Sequence, residues 1–414
     1  MHLLHRKLRR LPVTALPALI ASLTLLGSVA LPTSAASAYD LRVRAWGLNT
    51  NGQLGDGTKT QRQTPVSVVG LSGAELNTVV AGGSGTTGFA LALLANGTVE
   101  AWGRNDKGQL GNGTSSATDD FAVPSLVAGL GGVDAIAAGG SHALALLKDG
   151  TVKAWGANDK GQLGDGTTNA AATSLPVTVA GLDDVKAIAA GDTFSIALLK
   201  DGTVKTWGNN DKGQLGVTAK PATSTATVPA ATPATRTTAM AIPELTTVKG
   251  ITAGASHALA ILADGTVMSW GLNDKGQLGD DTTANKPYPV PVQELRNVTA
   301  LSAGAGHTIA LLQDRTLRGW GANDKGQVGD GTVTQRTTSV PLPGLTGVVG
   351  IASGASHNLA VLADGTVQAW GLNDKGQLGD GTLLQRNNAV QVLAKSGNVA
   401  TVAAPSNGNF SLAR

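Results

Sequence analysis

The dipeptide Trp-Gly occurs seven times, at Trp46, Trp102, Trp155, Trp207, Trp270, Trp320 and Trp370, and these are all the tryptophans of the 414-residue chain. Each opens the pattern Trp-Gly-x-Asn-x-x-Gly-Gln-Leu-Gly, with Val328 in place of leucine once, and most copies continue into Gly-Asp-Gly-Thr. A period of this length means one supersecondary unit repeated, since a single unit cannot bury its own apolar face. Thirteen residues before six of the tryptophans stands His or Phe: Phe89, His142, Phe194, His257, His307 and His357. The first tryptophan has no such partner upstream. A half-repeat after the last one, Val399 to Arg414, carries Phe410 in that place. An open solenoid would end in atypical caps. Complementary halves at the two ends instead imply a ring, with the ends jointly making one unit.

Within a unit the segments read as strands. Glycine is 56 of 414 residues, which disfavours helix because each interior glycine costs a helix about 1 kcal/mol. In the stretch Val133 to Val179, the runs Val133–Ala137, His142–Leu147, Thr151–Trp155 and Pro176–Val179 are strands A, B, C and D. Asp149-Gly150 is a hairpin turn between B and C, and Pro176 fits an outer strand, where a missing N–H is tolerated. Four antiparallel strands in each of seven units make an all-β, seven-bladed β-propeller closed by N- and C-terminal strands sharing one blade. In that closing blade, C and D are expected at Arg42–Trp46 and Pro65–Val69, and A and B at Val399–Ala403 and Phe410–Ala413. The Asp-Gly turns fall on one rim. The Gly-Gln-Leu-Gly loops between C and D share the other rim with the A–B turns. One unit departs: Val217 replaces Asp-Gly-Thr, and a Thr/Ala/Pro-rich stretch to about 241 reads as an insertion on the C–D rim.

The segments Ile251 to Ile261, Ile136 to Leu146 and Leu301 to Leu311 resemble the signature of the regulator of chromosome condensation family. Ile351 to Val361 departs from it only at Asn358. The resemblance covers residues 41–414 and implies the same closed seven-bladed propeller. For function it implies less. The nuclear member exchanges guanine nucleotide on a small GTPase and binds chromatin. A secreted bacterial relative inhibits β-lactamase through rim aromatics, whereas here only Tyr39, Phe121 and Tyr288 lie outside the repeat positions.

The start of the chain reads as an export signal. Arg6, Lys7, Arg9 and Arg10 precede an apolar run from Ala15 to Leu26, and Ala36-Ser37-Ala38 suits cleavage before Tyr39. Residues 1–38 are therefore expected to be removed, leaving 39–414 as the secreted or envelope-located propeller with no stable membrane anchor. Without those four cations, 27 basic and 28 acidic side chains nearly cancel. A near-neutral chain has no global attraction for nucleic acid. The absence of cysteine excludes disulfides, thiol catalysis and cysteine-ligated metal.

The four mature histidines share one repeat position with phenylalanine, so they read as packed, with a ring nitrogen bonded to backbone, rather than as metal ligands. The aspartates of Asn-Asp-Lys-Gly and Gly-Asp-Gly-Thr read as turn residues, because their spacing is not that of a calcium loop. Lys107, Lys160, Lys212, Lys275, Lys325 and Lys375 each follow an aspartate, so a solvated rim is expected. Repeat-equivalent polar groups do not form a catalytic constellation, which needs different groups in different roles. No catalytic residue and no cofactor are assigned. The expected function is a non-enzymatic extracellular binding module. The alternatives are a hydrolase or lyase at the central opening and, from the resemblance alone, nucleotide exchange. A partner site is expected on the C–D rim at Arg62, Arg336, Arg386, Lys286 and Tyr288. Circular closure makes their blades neighbours, and Asp119 and Asp120 should mark an opposite, acidic sector. An acidic protein or anionic wall polymer would suit such a surface.

Overall fold

The computed structural model describes residues 43–71, 75–116, 118, 120–219, 235–393 and 399–414. The expected signal peptide and its cleavage point lie outside them. The described residues form seven four-stranded antiparallel sheets with strands in the order A-B-C-D. We number the blades 1 to 7 by their tryptophans, from Trp46 to Trp370. The A strands of successive blades touch all the way round, including blade 7 to blade 1 and blade 1 to blade 2. They line a central opening of about 150 Å3.

Blade 1 is built from both ends of the chain: D is Arg62–Ser67, C is Arg44–Gly47, B is Phe410–Ala413 and A is Val402–Ala403. Arg44 pairs with Ala413 and Gly47 with Phe410. Its D strand starts three residues earlier than expected and its A strand is shorter. The rim opposite the C–D loops lacks a B–C turn in this blade, and Arg414 stands in for it. The Arg414 guanidinium donates from Nη1 to the Asn77 carbonyl at 2.6 Å and from Nη2 to the Leu76 carbonyl, both in blade 2. In blade 4, Thr235–Ala241 is strand D, so the expected insertion ends sooner. Its polar threonines suit an outer strand that is half exposed. Residues 220–234 lie outside the described residues.

Strands B are almost wholly buried and strands D half exposed, as expected for blades stacked face to face. Each tryptophan is fully buried against the preceding blade: Trp370, for example, packs with Ile309, Leu311 and Leu317 of blade 6. Every indole Nε1 donates to the glutamine carbonyl of the preceding Gly-Gln-Leu-Gly loop, from Trp102 to Gln53 at 3.0 Å round to Trp46 to Gln377 at 2.9 Å. The final glycine of that loop has positive φ, and a Cβ there would meet the same indole. Only glycine fits both demands.

Two more hoops of backbone bonds run round the ring. At the A–B turns, Gly83, Gly140, Asp192, Ala255, Ala305, Ala355 and Gly85 each donate to the turn of an adjoining blade. At the outer edge, the C–D loops donate to the next blade's D strand, from Gly57 N to Ala122 O round to Gly381 N to Gln63 O. Three hoops therefore tie all seven joints on the C–D face.

The histidine position fills each joint from inside. His142, His257, His307 and His357 are completely buried, and burial lowers their pKa values to about 4, 3, 4 and 3. Each Nε2 meets a polar side chain of the next blade: Ser195 at 2.9 Å, Thr308 at 3.1 Å, Asn358 at 2.9 Å and Ser411 at 2.9 Å. The expected bond to backbone is replaced by a bond to a side chain at His142, His257 and His307, while His357 also meets the backbone of Phe410. Those hydroxyls and the Asn358 amide themselves donate to glutamine carbonyls. Their free lone pairs must accept from histidine, so the proton sits on Nε2. Where the position is Phe89, Phe194 or Phe410, the next blade has Ala143, Ala258 or Ala90 instead.

Candidate functional site

The C–D face gathers what differs between blades. Its loops share one scaffold, seen clearly in blade 7. Asn373 Oδ1 accepts from Leu378 N at 2.9 Å, and its Nδ2 donates to Asp380 Oδ1 at 3.0 Å and the Thr382 carbonyl at 3.1 Å. Gln377 Oε1 accepts from Lys375 N at 2.8 Å. This side-chain network replaces the strand ladder that a loop lacks, as buried backbone groups require.

The structure brings Arg62, Arg336, Arg386 and Lys286 to adjoining blades, each at the start of a D strand. It also pairs each with the aspartate six residues upstream. Arg62 meets Asp56 at 2.7 Å, Arg336 Asp330 at 2.6 Å, Arg386 Asp380 at 2.7 Å and Lys286 Asp280 at 3.4 Å. Burial alone would raise the Asp56, Asp330 and Asp380 carboxyls. Hydrogen bonds from the nearby threonine and arginine outweigh it and hold them below the usual value. The sector is a row of ion pairs rather than of free cations. Tyr288 is half-buried on strand D of blade 5.

The expected acidic sector is not opposite. Asp119 lies outside the described residues. Asp120, in blade 2, is next to blade 1 and pairs with Lys59 of that blade at 3.1 Å. Ring order explains this, because blades 1 and 2 are neighbours at the closure.

Beyond the ion pairs, the loop tips of blades 6 and 7 present apolar side chains. Val333 is 51% exposed, Leu383 45% and Leu384 62%. Blade 1 has Lys59 at the position of Val333 and Leu383.

At the centre of the same face lies a cluster the sequence reading missed. Asp192, in the A–B turn of blade 4, accepts at Oδ2 from Asn407 Nδ2 of blade 1 at 3.3 Å and from Ser84 Oγ of blade 2 at 3.4 Å. Asn407 Nδ2 also lies 3.0 Å from Ser84 Oγ. Blades that are not neighbours meet only where all converge, at the axis. Ser84 gets there because the A–B hairpin of blade 2 is longer: six residues lie between Gly82 and Phe89, against two between Gly139 and His142. That lengthening, and an aspartate where other turns have Gly140, Ala255, Ala305 and Ala355, were the available signals. Burial raises the Asp192 carboxyl, and the bonds from Ser84 and Asn407 oppose the rise only in part. The opening beneath is lined by small and hydroxyl side chains such as Thr78, Ala138, Ala190, Ala253, Ala303 and Ala352.

Among known proteins, the RCC1-like domain matches residues 42–413. The human E3 ubiquitin-protein ligase HERC2 is 34% identical over 260 residues, which are 60% of this chain but 5% of HERC2. The Arabidopsis thaliana ultraviolet-B receptor UVR8 is 32% identical over 245 residues, 57% of this chain and 50% of UVR8. The chain thus spans half or less of these relatives. Of solved structures, Prp20p from Saccharomyces cerevisiae, described with its binding to Gsp1p and histones, superposes with a TM-score of 0.76 at 23% identity, covering 91% of this chain and 92% of that one. Human WBSCR16 gives 0.75 at 21% identity, covering 90% and 99%.

Proposed function

The chain belongs to the RCC1-like domain family, and on that premise we propose that it is a non-enzymatic, exported protein-interaction module whose partner docks on the C–D face. One observation carries the reading. The B–C turns repeat Asp-Gly-Thr with little change, whereas the C–D loops keep their buried scaffold and differ at their tips. Variation confined to the exposed ends of a rigid frame is how propellers and other repeat proteins diversify binding. Exposed Val333, Leu383 and Leu384 beside the Arg336–Asp330 and Arg386–Asp380 pairs supply an apolar centre with an arginine rim, a usual composition for an interface. Since each arginine is already paired, an acidic protein or wall polymer would compete with the resident aspartate, and apolar contact carries more of the affinity. Export is supported by the basic start, the apolar run Ala15 to Leu26 and Ala36-Ser37-Ala38. A hydrolase or lyase at the central opening finds no support in a described lining of alanine, valine, isoleucine, glycine, serine and threonine.

The test is affinity capture from the native culture with residues 39–414 as bait. Leu383→Asp with Leu384→Asp should abolish capture. The triple change Arg62→Ala, Arg336→Ala, Arg386→Ala should weaken it and reduce its salt dependence. Asp201→Ala in a B–C turn should leave it intact. Capture that survives the C–D variants and fails with the B–C variant would reverse the assignment of the face.

A further inference from the structure

We propose that the mouth of the central opening on the C–D face receives one cationic side chain, a lysine or arginine presented by the partner protein, with Asp192 as its counter-charge. The inference rests on the C–D face being the docking face and adds the chemistry of its centre. Five half-buried carboxylates elsewhere on this face already have a cation: Asp56 has Arg62, Asp280 has Lys286, Asp330 has Arg336, Asp380 has Arg386, and Asp106 has Arg104. Asp165 of blade 3 has no cation among the described residues but accepts three hydrogen bonds at Oδ1 within its own loop, from Asn158 Nδ2 and from Thr167 N and Oγ1. Asp192 has only the neutral groups of Ser84 and Asn407, at 3.4 and 3.3 Å, both on Oδ2. No lysine or arginine among the described residues pairs with it. A carboxylate withdrawn from water and left without a counter-charge is costly, and a fitting cation recovers that cost.

The surroundings are arranged around this carboxylate. Its Oδ1 lies over Gly140 of blade 3, where any Cβ would collide with it. Its backbone is fixed from both sides, with N donating to the Ala255 carbonyl at 3.0 Å and O accepting from Gly140 N at 3.1 Å. The lengthened hairpin of blade 2 and Asn407 of blade 1 hold Oδ2. An arginine could bond Oδ1 without displacing either. The opening below holds no charge among its described lining residues, so Asp192 is the charge that its mouth presents among the described residues. One carboxylate with two neutral neighbours is too poor in ligands for a divalent metal, which takes more oxygen donors.

The experiment uses small probes and does not need the partner. N-acetyl-arginine amide and ethylguanidinium are titrated into the folded chain while the backbone amide resonances of Gly85, Gly140 and Asp192 are followed. Saturable shifts are expected at these amides, and N-acetyl-citrulline amide, the neutral isostere, should produce none. Asp192→Asn should keep the fold and lose the shifts. Asn407→Asp, which adds a second carboxylate, should tighten binding. Shifts that persist in Asp192→Asn, that citrulline reproduces, or that are absent throughout would overturn the proposal. If the probes fail while the C–D variants still abolish capture, the cation site falls and the docking face stands.

Discussion

The joint between blades 6 and 7 and the joint between blades 4 and 5 share a backbone and differ in filling. At the first, His307 bonds Asn358, which bonds the Gln327 carbonyl. At the second, Phe194 occupies the equivalent place and Ala258 faces it. Both joints carry the same indole-to-carbonyl bond and the same backbone hoops. The residue pair across a joint is therefore chosen together: a ring N–H brought into a dry joint must find an acceptor, and a phenyl ring needs room and no polar neighbour. All four histidine joints and all three phenylalanine joints obey this.

Removing residues 399–414 should have the largest effect, because it strikes both kinds of joint at once. That segment supplies Ser411 to a polar joint and Phe410 to an apolar one, so its loss opens both. The cost should exceed the ~5–15 kcal/mol by which a domain is stable, and urea denaturation should show no cooperative transition. An unchanged midpoint would mean the ring does not close through this blade.

Acid separates the two kinds of joint next. The folded-state pKa values of the histidines, about 3 to 4, lie below the ordinary value. The unfolded chain therefore takes up protons first as pH falls, and stability is complete above about pH 6.5 and declines towards pH 4. Each histidine should cost ~3 kcal/mol by pH 4, so unfolding should occur before that pH is reached. Replacing His142 by Phe together with Ser195 by Ala should move the acid midpoint down. A midpoint that did not move would contradict the buried, neutral state of His142.

Single substitutions act at one joint. Asn358→Ala orphans the His307 N–H and should cost about 3 kcal/mol, read as a shift in urea midpoint. The smallest effect is expected from the double change His307→Phe, Asn358→Ala, which copies the apolar filling and should lie within about 1 kcal/mol of the parent. Ser353, whose hydroxyl bonds Asn358 at 2.8 Å, lines the opening and can turn to water.

The blades, their strand order and the shared closing blade were legible because Trp-Gly, Asp-Gly and the His/Phe position recur at fixed offsets. Individual strand ends were not, as in Thr235–Ala241, where an outer strand needs little apolar patterning. The partners of the histidines escaped because each lies 51 to 54 residues away. Yet the signal was present: His is followed one repeat later by Ser, Thr or Asn, and Phe by Ala. Asn358, the single departure from the signature, is the acceptor that His307 requires. The arginines were read without the aspartates six residues before them, although a strand that starts just after a loop brings those two positions together. Asp192, Ser84 and Asn407 come from three blades, and nothing local in the sequence joins them.

The pairing of Arg44 with Ala413 also sets how the ring responds to pulling. These two residues are neighbours at the same end of an antiparallel pair. Tension applied there would open the strands one rung at a time, from Arg44 and Ala413 towards Gly47 and Phe410, instead of shearing all rungs at once. The seam should therefore peel at low force, while the six blades built from continuous chain bear load only after it has parted.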